Sequence, residues 1–151
     1  MKNKFYSFKK ESENSASVYI YGDITPYEGF ENDVSAWGFK KELEELGEMS
    51  ELNVHINSCG GETFQALAIY NLLKSLKSQI NVYIDGIAAS SASIIAMAGN
   101  KVYMPKTSLM MIHNCWTYVL GNAEELRKTA DDMDKVKEAY KAAYLSKIKI
   151  T

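Results

Sequence analysis

Residues 85–93 read DGIAASSAS, a run of small residues with serines clustered at its end. An apolar segment over residues 80–85 precedes the run and predicts a strand that ends there. Gly86 is then expected to turn the chain, and the small residues over 86–99 predict a turn and a buried helix. Ser90 would lie in the first turn of that helix, where a serine usually caps the helix. The alternative is a nucleophile beside free N–H donors, with the helix dipole stabilising negative charge on a substrate carbonyl.

Short apolar segments alternate with helical patterns along the rest of the chain, which is typical of a layered α/β domain. The predicted strands cover residues 17–24, 52–57, 80–85, 101–104 and 108–113. One predicted helix follows a cap at Asp33 or Ser35 and ends near Leu46. A second covers residues 62–76. The side chains expected to face the core are Trp37, Leu43 and Leu46 on the first helix, and Phe64, Leu67, Ala68, Leu72 and Leu76 on the second.

The longest periodic run extends from Asn122 to about Lys149 and predicts a long helix. Asn122 can cap it, and the two glutamates that follow suit the positive end of the helix dipole. Its apolar stripe consists of Leu126, Ala130, Met133, Val136 or Lys137, Tyr140 and Tyr144. The run predicts either a long core helix or a protruding helix that meets another subunit.

Composition excludes several classes of function. The chain has 151 residues, the size of one domain, and a formal net charge of −2, which argues against a nucleic-acid binder. Two cysteines, Cys59 and Cys115, and two histidines make a zinc site improbable, and we expect reduced thiols in a cytoplasmic protein. The polar N-terminus shows no signal peptide, and the apolar run over 84–97 is too short to span a membrane. No metal and no cofactor are predicted.

Two other stretches could carry chemistry. Residues 57–61 read NSCGG and lie between a predicted strand and a predicted helix, where paired glycines let backbone N–H groups face a ligand. A strand-to-helix turn also favours glycine for purely structural reasons. Residues 111–114 read MIHN and end an apolar strand. His113 could be structural there, or it could act as the general base for a serine.

The order and spacing of these motifs resemble the ClpP family of serine peptidases. Gly60-Gly61 comes first, Gly86-x-Ala88-Ala89-Ser90 follows, and Ile112-His113 comes last. The resemblance covers about residues 18–144 and leans toward the phage branch that processes capsid proteins during head maturation. It implies a ClpP/crotonase-like α/β fold, with stacked strands flanked by helices and a long C-terminal helix. It also implies that residues 1–151 form a single peptidase domain.

The resemblance assigns a role to each matching residue. Ser90 aligns with the nucleophile and His113 with the general base that activates it. The backbone N–H groups of Gly61 and Ser91 align with the oxyanion hole, whose donors must be positioned before the tetrahedral intermediate forms. Gly60 and Gly86 are expected to support the two turns that carry these groups.

The chain departs from the family pattern at several positions. Cys59 stands where proline is usual, Ser91 replaces a larger apolar residue, and residues 114–117 replace a turn richer in proline and glycine. The acidic third member of the triad would fall beyond Thr151, so we expect a domain lacking its C-terminal portion, an incomplete triad and little activity in this chain. The acidic residues of the long helix are not placed beside the histidine by any pattern: Asp131, Asp132 and Asp134.

The predicted function is a serine endopeptidase that cleaves polypeptides within a ring-like homo-oligomer in a bacterial or phage-infected cell. It would act in capsid maturation, or in housekeeping proteolysis with an external ATPase, because the chain has no P-loop motif of its own. One alternative is a crotonase-fold acyl-CoA enzyme, which shares the oxyanion turn but uses acidic bases. Another is a non-catalytic assembly protein on the same scaffold. Neither nucleic acid nor membrane is an expected partner.

Overall fold

The computed structural model describes residues 6–26 and 33–148. The polar N-terminus over residues 1–5 and the predicted helix end at Lys149 lie outside the described residues. The chain divides into two compact units, Met1–Ile112 and His113–Thr151. Organisation as a single peptidase domain stays a prediction.

The first unit is built on a mixed sheet of six strands. These strands are β1 (Tyr6–Lys10), β2 (Ser15–Ile20), β5 (Glu51–Ser58), β6 (Gln79–Ala89), β7 (Lys101–Tyr103) and β8 (Leu109–Met111). Their order is β1-β2-β5-β6-β7, with β8 also paired to β6. Only β1 runs antiparallel to its neighbour, and the other pairs are parallel. A second, two-stranded ladder joins β3 (Asp23–Ile24) to β4 (Asp33–Val34).

Three helices belong to the described part of this unit, so the predicted α/β class is confirmed. They are α1 (Ala36–Glu45), α2 (Thr63–Ser75) and α3 (Ser91–Ala96). Ser35 caps α1, since its hydroxyl oxygen accepts a hydrogen bond from the Gly38 N–H at 3.1 Å. The Glu62 carboxylate caps α2 in the same way, accepting from the Gln65 N–H at 2.8 Å. Both caps satisfy N–H groups that a helix leaves without an internal acceptor.

The core-facing residues were predicted wrongly at two aromatic positions, and the other four predicted on α2 are only partly buried: Leu67, Ala68, Leu72 and Leu76. Trp37 is 71% exposed and Phe64 is 67% exposed. The buried aromatic residue of α1 is instead Phe39, whose ring centroid lies 5.1 Å from that of Phe8 on β1, and Leu43 is buried as predicted. No strand was predicted over residues 6–10, so the aromatic partners that turn this face of α1 inward went unseen. On α2 the buried stripe is Ala66, Ile69 and Leu73.

One face of the sheet carries a ladder of stacked rings. Tyr19, His55, Tyr83 and Tyr103 occupy matching register positions on β2, β5, β6 and β7. Successive ring centroids are 4.7, 4.9 and 4.8 Å apart, with nearly parallel planes. Cross-strand pairs of this kind stabilise a sheet. The residues next to these rings along each strand point to the opposite face of the sheet and are buried in the core. Examples are Val18, Val54 and Val82.

The Asp85 carboxylate beside this ladder links two ionisable rings. It accepts a hydrogen bond from the Tyr21 hydroxyl and lies 2.9 Å from Nδ1 of His55. Burial raises the pKa of Tyr21 to about 12, and the hydrogen bond to Asp85 adds to the effect. The neutral phenol is therefore favoured in the folded state.

We expect the stability contribution of Tyr21 to depend on pH. It is fully present below the phenol's ordinary pKa of 10.0 and is lost as the pH rises toward the folded value of about 12, because only the unfolded chain ionises in that window. Urea unfolding of wild type and Tyr21→Phe at about pH 8 and about pH 11 tests this. The stability gap between the two proteins should shrink at the higher pH. A gap of constant size would contradict the prediction.

The second unit contains the predicted long helix, α4 (Ala123–Leu145). Asn122 caps it as expected: its side-chain oxygen accepts from the N–H groups of Glu124 and Glu125, at 2.9 and 3.1 Å. The Glu125 carboxylate accepts in return from the Asn122 N–H, which completes a capping box. The helix ends at Leu145, short of the prediction. Whether its apolar stripe meets another subunit stays a prediction.

Candidate active site

The strand before Ser90 is longer than predicted, and Gly86 does not turn the chain. β6 continues through Gly86 to Ala89. Its pairing with β5 shifts register there, since Ile56 lies opposite Ile84 whereas Ser58 lies opposite Ala88. Such a bulge re-aims the residues that follow it, and bulges of this kind are common beside active sites. A Cβ atom added at Gly86 would lie 2.5 Å from the side-chain oxygen of Asn57, so a larger residue at the bulge would require the Asn57 side chain to move.

Ser90 joins β6 to α3 in an unusual conformation. Its φ of 52° and ψ of −128° make it the one non-glycine with positive φ among the residues that the structure describes. Its hydroxyl makes no capping bond to α3, so the simple helix-cap interpretation is wrong. Its N–H donates to the Met111 carbonyl at 2.8 Å, which ties the junction to β8. Backbone strain of this kind persists only where surrounding contacts enforce it, and it is frequent at catalytic nucleophiles.

The Gly60-Gly61 turn packs directly against Ser90. Both glycines have positive φ, 96° and 146°. A Cβ atom at Gly60 would lie 2.7 Å from the Ala89 carbonyl oxygen and 2.8 Å from the Ser90 Cβ, so a side chain there would displace the junction. Ser58 holds the start of the turn, accepting from the Gly60 N–H at 3.1 Å. The glycines therefore allow the turn to pack closely against Ser90, in addition to adopting the positive φ angles of the turn itself.

Ile24 holds Gly61 through a short parallel bridge. Its N–H donates to the Gly60 carbonyl at 2.9 Å, and its own carbonyl accepts from the Glu62 N–H at 2.7 Å. In a parallel bridge of this pattern, the N–H of the middle residue faces away from its neighbour. The Gly61 N–H therefore points away from Ile24. Within residues 6–26 and 33–148 it has no hydrogen-bond acceptor.

Ser91 begins α3 and supplies a second unused donor. Its N–H belongs to the first turn of the helix, where no internal acceptor exists, and none lies against it in the described part of the chain. Its side-chain hydroxyl donates to the Gly61 carbonyl at 3.2 Å. The structure thus brings together Gly60, Gly61, Ser90 and Ser91, with two available N–H groups beside the Ser90 backbone.

His113 opens the second unit and is partly exposed. Its pairing with Ser90 stays a prediction. Two of the helix acids lie in exposed ion pairs: Asp132 is 2.7 Å from the Lys135 ammonium, and Asp134 is 2.9 Å from that of Lys137. The hydrogen bond from Lys135 lowers the pKa of Asp132. These contacts explain both carboxylates as surface groups of α4.

The remaining chemistry-bearing residues form no second centre in the described regions. Cys59 is an exposed free thiol within the glycine turn, and Cys115 donates to the Met133 carbonyl at 3.6 Å. No cluster of three or more His, Cys, Asp or Glu side chains could hold a metal ion among residues 6–26 and 33–148. Over the same residues, no helix combines the length and apolarity needed to cross a bilayer.

Sequence reasoning missed the residues that hold the site through their backbone or a hydroxyl. Ile24 and Met111 act through backbone groups, which leave no signature in a single sequence. Ser58 stood within the quoted NSCGG motif, and a serine two residues before a glycine can bond to the glycine's N–H. That spacing was the one signal that could have found it.

The chain is similar in sequence to known proteins of one family. A family model described as Clp protease matches residues 30–151. The chain is 30% identical over 99 residues to the ATP-dependent Clp protease proteolytic subunit of Deinococcus radiodurans, a match that covers 64% of this chain and 48% of that protein. The proteins of the same name from Bacteroides fragilis strains NCTC 9343 and YCH46 are also 30% identical over 99 residues, with 47% and 44% of their length covered. The match therefore spans about half the length of these relatives.

Proposed function

The chain belongs to the Clp protease family, and from this we propose that it is a serine endopeptidase whose acyl-enzyme forms on Ser90. The observation that carries the proposal is the strained Ser90 junction, packed against a glycine turn with unused N–H donors. A strained strand-to-helix turn presents its side chain outward instead of into the helix, which suits a nucleophile.

The proposed reaction uses four groups of this chain. His113 takes the proton from the Ser90 hydroxyl as the oxygen attacks the scissile carbonyl. The N–H groups of Gly61 and Ser91 stabilise the negative oxygen of the tetrahedral intermediate. As the intermediate collapses, the peptide C–N bond breaks and the leaving amine takes the proton from His113. Water then hydrolyses the Ser90 ester by the same route. The Ser90 N–H bond to Met111, two residues before His113 along the chain, supports this pairing.

The proposed setting is a ring-like homo-oligomer that degrades polypeptides delivered by an external ATPase. The relatives are named as proteolytic subunits of ATP-dependent proteases, which favours this role over capsid maturation. Large apolar side chains stand exposed in the second unit and suit contacts between copies: Trp116, Tyr118, Leu120 and Leu126. The relatives come from bacteria, so we propose a bacterial cytoplasm as the site of action, with a phage-infected cell as the alternative.

A crotonase-type acyl-CoA reaction is the second candidate, because that fold uses a similar oxyanion turn. Such enzymes rely on acidic bases. The residue that packs against the glycine turn here is Ser90, whose backbone is held at positive φ. The serine therefore favours acyl transfer to the protein itself.

A fluorophosphonate probe tests the proposal, because it reacts only with serines activated as nucleophiles. We expect one adduct, located on Ser90 by peptide mass spectrometry, and none in Ser90→Ala. Ser75→Ala removes an exposed serine at the end of α2 and should label like wild type. A folded wild-type chain that resists the probe would contradict the proposal and favour the crotonase or non-catalytic alternatives.

A further inference from the structure

We propose that the Ser91 hydroxyl is a positioning residue that fixes the two oxyanion donors relative to each other. The inference rests on the proposed function and deepens it. The backbone N–H of Ser91 is one proposed donor, and its side chain donates to the carbonyl of Gly61, which carries the other.

The bonds around Gly61 show what the hydroxyl adds. The peptide before Gly61 is held at the Gly60 carbonyl by the Ile24 N–H, at 2.9 Å. The peptide after Gly61 is held at the Glu62 N–H by the Ile24 carbonyl, at 2.7 Å. Both bonds attach the turn to β3. The Ser91 bond, at 3.2 Å, attaches the turn to the helix that begins beside the nucleophile.

Two consecutive glycines make this attachment important. Glycine has the largest conformational freedom of any residue, so a turn bonded to β3 but not to α3 can still shift the Gly61 N–H relative to the start of α3. An oxyanion donor is effective only when it is held at about 2.7–3.1 Å from the oxygen before the charge develops. Ser91 is only 1% exposed, so its hydroxyl must be hydrogen-bonded to offset desolvation, and it satisfies that need at the Gly61 carbonyl.

The test compares Ser91→Ala with wild type in the fluorophosphonate reaction. The probe forms a tetrahedral adduct whose oxygen needs the same donors. We expect the rate constant for covalent bond formation with the probe to fall by about fivefold to tenfold, which is the effect of losing one buried hydrogen bond. The affinity of the preceding reversible binding should stay unchanged. A merely structural role would lower the melting temperature without this division between rate and affinity.

Two further variants make the comparison specific. Ser108→Ala removes a buried serine hydroxyl that donates to the Pro105 carbonyl at 2.8 Å, the same kind of bond away from the turn. It should label at the wild-type rate. Ser91→Thr retains the hydroxyl and should restore most of the rate. If Ser91→Ala does not fold, Ser91→Cys preserves the volume with a weaker donor and should show the same loss in smaller measure.

The outcomes separate this inference from the proposed function. If wild type is labelled at Ser90 and folded Ser91→Ala or Ser91→Cys is labelled equally fast, the positioning role is overturned and the peptidase proposal stands. If probe affinity falls together with the rate, the hydroxyl shapes the binding site generally and the positioning role is again overturned. If folded wild type is not labelled, both proposals fail together.

Discussion

Ser90→Ala and His113→Ala are each expected to lower peptide hydrolysis by this chain to the background rate, and the double variant should be no slower than the slower single variant. The hydroxyl is a poor nucleophile without a base, and the imidazole has nothing to activate without the hydroxyl. Residues that act as one unit show such non-additive losses, whereas independent residues show losses that multiply. Initial rates on a fluorogenic peptide for the four proteins provide the measurement.

A control for losing an imidazole is available because the chain has only two histidines. His55→Phe removes the other imidazole and preserves a flat ring between Tyr19 and Tyr83 in the stacked ladder. We expect it to hydrolyse peptide at nearly the wild-type rate. Losses at Ser90 and His113 that multiply in the double variant would show that the two residues do not share one catalytic step.

The site was predictable from sequence where side-chain identity is itself the requirement. Only glycine tolerates the close approaches seen at positions 60 and 61, and only a few residue types can be activated as nucleophiles, so Gly60, Gly61 and Ser90 stood out. Asn122 was found for the same reason, since a helix cap is a local bond between a side chain and the backbone that follows it. These features depend on short stretches of chain.

The wrong predictions involve partners that are distant in sequence. β6 was ended at Asp85 because a glycine usually interrupts a strand, yet pairing with β5 and β8 carries the strand through Gly86 to Ala89. Trp37 was assigned to the core on hydrophobicity, but the aromatic residues of β1 select Phe39 instead. In both cases tertiary pairing overrides a local preference, and a single sequence does not contain the pairing.

Gly61→Ala is expected to have the largest effect on both stability and reactivity. The added Cβ would lie 2.1 Å from the Ile24 carbonyl oxygen and 2.9 Å from that residue's backbone C and N atoms. These are backbone atoms of a bridged residue, so no side-chain rotation relieves the clash. The turn must therefore move away from Ile24, and we expect a loss of about 2–4 kcal/mol in the free energy of unfolding. Urea denaturation measures it.

Gly47→Ala separates this clash from the intrinsic strain of a side chain at positive φ. Gly47 also has positive φ, 74°, but a Cβ atom there would meet nothing within 4 Å. Its alanine variant should lose only about 1–2 kcal/mol, the penalty of the left-handed conformation alone, and should react with the fluorophosphonate probe like wild type. In folded Gly61→Ala the displaced N–H no longer reaches the oxyanion, so labelling of Ser90 should fall by about 10²–10³-fold. Equal labelling of the two alanine variants would mean that the Gly61 N–H takes no part in stabilising the intermediate, and that the unused donor beside Ser90 is a consequence of the turn's shape alone.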